Sequence, residues 1–152
     1  MKNDPVDYAG EINTILKILK SIQKEVKVHI ECATGDHLAK FLKQTPKVLH
    51  MSCHGALDND TNEYFLEFEN HKAELFKLTP SIIRKLFKGE DLSEIEIMFV
   101  NACHSEAVAK TFLELGVKCL IVVEGETKID DTYAKEFSQL FYLELLDSKT
   151  VS

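Results

Sequence analysis

"KVLHMSCHG", residues 47–55, and "IEIMFVNACHSE", residues 95–106, decide how this chain is read. Each opens as an apolar run of strand length and closes in a Cys-His pair among small or polar residues. Val48-Leu49-His50-Met51 reads as a short strand that stops at Gly55. Ile95 to Val100 is a nearly continuous apolar strand, the pattern expected when both faces are covered.

Helical and extended periods alternate on either side of these runs. Ile12, Ile15, Leu16, Leu19 and Ile22 recur at helical spacing, which predicts an amphipathic helix over about residues 10–23. Val26, Val28 and Ile30 alternate with Lys27, His29 and Glu31 at the period of a strand. Thr34 or Asp36 caps a second helix carrying Leu38, Phe41 and Leu42 inward, ended near Pro46. Residues 56–62 read as a polar loop, and Tyr64 to Phe76 as a hairpin turning at Asn70-His71. Thr79-Pro80 starts a helix presenting Ile82, Ile83, Leu86 and Phe87, closed by Gly89. After Cys103 comes a helix with Val108, Phe112 and Leu115 inward, ended by Gly116. Val117 to Val123 follows as a buried strand. Asp130 or Asp131 caps a last helix with Tyr133, Phe137, Leu140, Phe141 and Leu145 on one face.

Strands alternating with helices indicate an α/β fold with a mostly parallel sheet. Ligands in such sheets collect at the carboxyl ends of the strands. Both Cys-His pairs lie at those ends, so they can meet on one rim.

The length of 152 residues indicates one domain with room for a core. A formal charge of -7 argues against nucleic acid or an anionic membrane as the main partner, since both call for a basic face. No stretch approaches the roughly 20 apolar residues of a membrane helix, and Met1-Lys2-Asn3-Asp4-Pro5 does not open a signal peptide. Cysteines at 32, 53, 103 and 119 form no dense disulfide pattern, which predicts free thiols in a reducing, intracellular setting. Cys32 and Cys119, inside strand-like stretches, are expected in the core.

Three readings of the Cys-His pairs stay open at this level. In the first, His54 is a general base and Cys103 a nucleophile. A thiol attacks as thiolate, and a nearby imidazole both favours that form and later protonates a leaving amine. Gly55 would let backbone approach a substrate and donate its N–H to an oxyanion. The helix after Cys103 would turn its positive end towards the sulfur. In the second, His50, Cys53, His54, Cys103 and His104 hold zinc. Their spacing is poor for it, because residues four apart on a strand lie roughly 13 Å apart. In the third, they are core histidines and buried thiols.

"KVLHMSCHG" together with "IEIMFVNACHSEAVAKTFLELGVKCLIVVEGETKIDDTYAKEFSQLFYLELL" resembles the CHAT domain family, whose pattern is H-x3-H-G, a hairpin, N-A-C, and a last helix bearing F-x3-F-Y, here Phe137, Phe141 and Tyr142. The Glu11 helix and "VHIECATGDHLAKFL" also fit. The resemblance implies a three-layer caspase-like α/β sandwich with a small β-hairpin insertion, related to caspases, metacaspases, legumains and separases. It further implies a thiol endopeptidase acting on protein or peptide substrates, without metal or organic cofactor. Carried over, His54 and Cys103 form the dyad and the Gly55 and Cys103 amides are the oxyanion donors. Asn101 lines the primary specificity pocket, where its neutral amide argues against a charged preference. Cys53 and His104 become neighbours, and His50 orients or packs near His54. Some members of the family have lost catalysis and serve as interaction modules, the alternative function. The family usually begins with a strand before the Glu11-type helix and ends with a further helix. Residues 1–152 are therefore expected to be one such domain trimmed at both ends, or part of a longer chain with regulatory domains.

Overall fold

A computed structural model describes residues 8–21, 25–122 and 131–147, except the side chains of 131–135 and 146–147. Ile22, Val123 and Asp130, and the side chain of Tyr133, lie outside the described residues. The protein is mixed α/β and divides into two compact units, residues 31–128 and a pairing of residues 1–30 with 129–152.

In residues 31–128 the apolar runs become strands β1 (Val48–Ser52), β5 (Ile97–Asn101) and β6 (Cys119–Val122). They form a parallel sheet in the order β1-β5-β6. The register pairs Leu49 with Met98, Met51 with Val100, and Ser52 with Asn101. Side chains alternate across a strand, so Leu49, Met51, Met98 and Val100 share one face, and all four are buried. His50 and Phe99 share the other, their rings stacked at 4.6 Å and 23°.

Helices α2 (Gly35–Lys43), α3 (Pro80–Leu86) and α4 (Glu106–Glu114) supply Leu38, Leu42, Ile83, Val108 and Phe112 to the same apolar cluster. Burying each such side chain stabilises the fold by about 1.5–3 kcal/mol. Local chemistry sets the helix ends. Thr34 Oγ1 accepts from the His37 N–H and Thr79 Oγ1 from the Ile82 N–H, each cap contributing about 1 kcal/mol. Gly116, at φ 107°, takes the left-handed conformation that stops α4 and sends the chain into β6.

Between β1 and α3 lies an antiparallel sheet of β2 (Gly55–Asp58), β3 (Glu63–Glu69) and β4 (Leu75–Leu78), ordered β2-β3-β4. The expected hairpin is thus a three-stranded meander. Residues 55–58, expected as the end of a strand and a loop, pair with β3 from Gly55↔Leu66 to Asp58↔Glu63. The Asp58 carboxylate ties its turn together, accepting from the Asp60 N–H and pairing with Lys77 at 2.7 Å. Lys77 also lies over the Phe65 ring.

In the other unit, α1 (Tyr8–Ser21) packs against α5 (Asp131–Asp147). Glu11, Ile18, Ser138 and Tyr142 are buried there, and Ser138 Oγ donates to Glu11 Oε1 at 3.4 Å. Burial, and then the Glu11 charge, push the Tyr142 phenol upward, so it stays protonated.

Several expectations are corrected. Residues 25–30 belong to no strand, and Val26, Val28 and Ile30 are exposed; alternation without a ladder partner does not make a strand. Cys32 and Cys119 are exposed rather than core. Cys119 begins β6, at the end of the sheet order, on the face shared with Phe99 rather than with the apolar cluster. Leu86, Phe137 and Leu140 are exposed, while the polar Ser138 is buried.

Candidate active site

Strands β1 and β5 run parallel and stop together at Ser52↔Asn101. One further rung forms, the Cys53 N–H donating to the Asn101 carbonyl at 3.2 Å. Then the two chains part. The first swings into the antiparallel sheet, where the His54 carbonyl accepts from the Glu67 N–H at 2.8 Å. The second turns at Cys103 and His104 into α4. His54 is two residues past Ser52 and Cys103 two past Asn101, equal offsets on neighbouring strands that lie about 4.8 Å apart.

Gly55 shows how tightly the segments meet. A Cβ added there would stand 1.9 Å from the Cys103 carbonyl oxygen and 3.1 Å from its carbon. No side chain fits. The glycine, expected from the sequence to let backbone approach a substrate, here makes room for the backbone of Cys103. Its amide is also well placed. The Glu67–His54 bond flanks the Gly55↔Leu66 pair and makes it a non-hydrogen-bonded pair. The Gly55 N–H therefore points away from β3, and β2 is the outer strand of its sheet.

The two cysteines beside histidines differ sharply. Cys103 is half-buried, as is His54. Cys53 is buried, and its thiol is pushed up to about 12, first by burial and then by the Glu67 charge. A thiol in that state stays protonated and inert at neutral pH. Among the described residues neither the His54 imidazole nor the Cys103 thiol has a hydrogen-bond partner. Among them, too, no three His, Cys, Asp or Glu side chains gather as a metal would require.

The remaining expected residues fall around this point. Asn101 is half-buried at the end of β5, beside Ser52. His50 packs on Phe99, two residues before β1 ends at Ser52. His104 holds φ 51°, a left-handed conformation that costs a residue with a Cβ about 1–2 kcal/mol. Its ring stacks on Tyr64 of β3, centroids 5.8 Å apart at 17°, and such a pair contributes about 0.5–1.5 kcal/mol beyond area burial. Stack and strain are of one size. Sequence reasoning missed Tyr64, because a tyrosine in a strand carries no signal of a partner forty residues away. It also missed the Ser52 and Ser105 hydroxyls, both buried without a hydrogen-bond partner.

The CHAT domain model matches residues 7–152. The chain belongs to the CHAT domain family. A comparison with curated proteins returns no match. Membership gives this CHAT domain a fold related to the caspase-like peptidases. The H-G and A-C positions are here His54-Gly55 and Ala102-Cys103, and the segments that carry them meet where Gly55 faces the Cys103 carbonyl. None of the helices described is long and apolar enough to cross a membrane.

Proposed function

We propose that this CHAT domain is a cysteine endopeptidase with His54 as general base and Cys103 as nucleophile. The contact between Gly55 and the Cys103 carbonyl carries the reading, because it joins the two segments where a base and a thiol are needed. His54 takes the Cys103 proton, and the thiolate attacks the scissile carbonyl of a bound peptide. The resulting oxyanion accepts from the Gly55 and Cys103 amides, which stabilise it before it collapses. The protonated His54 then gives its proton to the leaving amine, and an acyl-enzyme remains on Cys103. Water, deprotonated by His54, hydrolyses that thioester and frees the thiol. Every step uses side chains and backbone amides of this chain.

Hydrogen bonds of this kind are often long or misaligned before substrate arrives and tighten in the complex, which accommodates the unbonded His54 and Cys103. Asn101 lines the primary pocket and favours uncharged side chains before the cut. The substrates are proteins met in a reducing compartment, where the four free thiols persist. The test is cleavage of a peptide library by wild type, His54→Ala and Cys103→Ala. Loss of several powers of ten in both variants supports the reading, since members of such a pair act as a unit. Cleavage that survives in Cys103→Ala refutes it.

The second reading is a non-catalytic interaction module. The absence of a hydrogen bond between His54 and Cys103 favours it. A folded wild-type protein that cleaves no peptide in the library is its expected result.

A further inference from the structure

We propose that Tyr64 is a positioning residue for Cys103: its ring holds the His104 imidazole and so maintains the left-handed turn that presents the thiol. The consequence for turnover rests on the peptidase reading, whereas the consequence for thiol reactivity rests on geometry alone.

His104 follows Cys103 directly and holds φ 51°, unusual for a residue with a Cβ. Histidine takes this conformation more readily than most residues, yet the turn gives it no capping bond. Ser105 at the N-cap of α4 has helical dihedrals and makes no side-chain capping bond, and its hydroxyl is buried without a partner. Glycine, which takes this conformation without strain, is absent from residues 101–106. The stack on Tyr64, at 5.8 Å and 17°, is the contact that favours the strained form.

Tyr64 is 38% exposed, and its backbone is fixed in the sheet. It pairs with Leu57 in the β2–β3 ladder, and strand alternation puts it on the same face as the buried Leu66 and Phe68. That ladder begins at Gly55, the residue in contact with the Cys103 backbone. The antiparallel sheet therefore grips the nucleophile's turn at two places, by backbone at Gly55 and by an aromatic ring at Tyr64. Release of the ring lets His104 relax towards ordinary dihedrals, and the Cys103 thiol beside it turns out of its half-exposed position.

The test measures the iodoacetamide alkylation rate of Cys103 relative to exposed Cys119 in the same full chain. The proteins are wild type, Tyr64→Ala, Tyr64→Phe, Tyr64→Leu, His104→Gly and the Tyr64→Ala/His104→Gly double variant. Tyr64→Ala is expected to lower the ratio about three- to tenfold, the worth of the lost stack. Tyr64→Phe keeps the ring and should stay within about twofold of wild type. Glycine at 104 removes the strain, so Tyr64→Ala should change the ratio by less than about twofold in that background. Tyr64→Leu keeps apolar bulk without a ring, so a fall there too shows that the effect is not general unfolding. An equal fall in both backgrounds overturns the proposal. So does a rise on losing the ring, which would mean that Tyr64 merely covers the thiol. If no peptide is cleaved but this pattern holds, the peptidase reading fails and the positioning role stands. Cleavage without coupling between 64 and 104 gives the reverse.

Discussion

Replacing Gly55 by alanine puts the smallest possible side chain into the tightest contact of the candidate site. Its Cβ would stand 1.9 Å from the Cys103 carbonyl oxygen, whereas ordinary contact begins at 3.4 Å. The clashing atom is backbone and cannot swing aside. The His54–Gly55 and Cys103 segments must therefore part by about 1.5 Å, and displacements of about 1 Å between reacting groups cost on the order of 10²-fold in rate. Overpacking of this kind destabilises by about 1–3 kcal/mol. Gly55→Ala should thus lower kcat/KM on the best library peptide by at least about 100-fold while the protein still folds. Urea unfolding gives the stability change, and circular dichroism on the same sample checks that the fold persists. A folded Gly55→Ala protein with cleavage within about threefold of wild type would refute the reasoning, for then the contact does not set the distance between His54 and Cys103, the proposed base and nucleophile.

The other cysteines give an internal control. Cys53→Ser buries a hydroxyl in an apolar cluster and should cost about 1–3 kcal/mol, whereas Cys119→Ser, at an exposed site, should stay within about 0.5 kcal/mol by urea midpoint. A pH series tests the Asp58 turn. The Lys77 ammonium, and next the Asp60 N–H, hold the Asp58 carboxyl below the usual carboxylate range. Its folded value thus lies below the unfolded one, near 3.9, so its stabilisation is full above about pH 4 and fades as pH falls further. Lys77→Met should accordingly lower the urea midpoint at neutral pH and lose much of that difference near about pH 3; an unchanged difference at the two pH values counts against the ion pair.

The fold was legible wherever the apolar pattern or the local end chemistry was strong. Ile95 to Val100 reads as a central strand because apolar residues fill both faces, and β5 indeed lies between β1 and β6. Thr79-Pro80 and Gly116 mark helix ends through local chemistry alone. Strand β2 was illegible because Ala56-Leu57-Asp58 has little pattern of its own and is held by the β3 ladder. The reverse holds at Val26 to Ile30, where a clear alternation lacks an assigned ladder. On α5, Phe137 and Leu140 suggested the buried face, but the inward positions are Ser138 and Tyr142.

The candidate site was half legible. Two Cys-His pairs at parallel strand ends are visible in the sequence, and parallel register then brings them to one rim. Which cysteine is inert depends on burial, and Cys53 shows it only in three dimensions. The left-handed His104 and its stack on Tyr64 are a property of one turn meeting another strand, which no local pattern encodes.

One labelling experiment goes straight to the pairing of imidazole and sulfur. Native protein is treated with iodoacetamide at neutral pH, and the rates at Cys103 and Cys119 are compared in wild type and His54→Ala. An imidazole acting on the thiol should make Cys103 react about tenfold faster than Cys119 in wild type, and His54→Ala should erase most of that lead. Equal rates at the two cysteines in the folded wild-type protein would contradict the account.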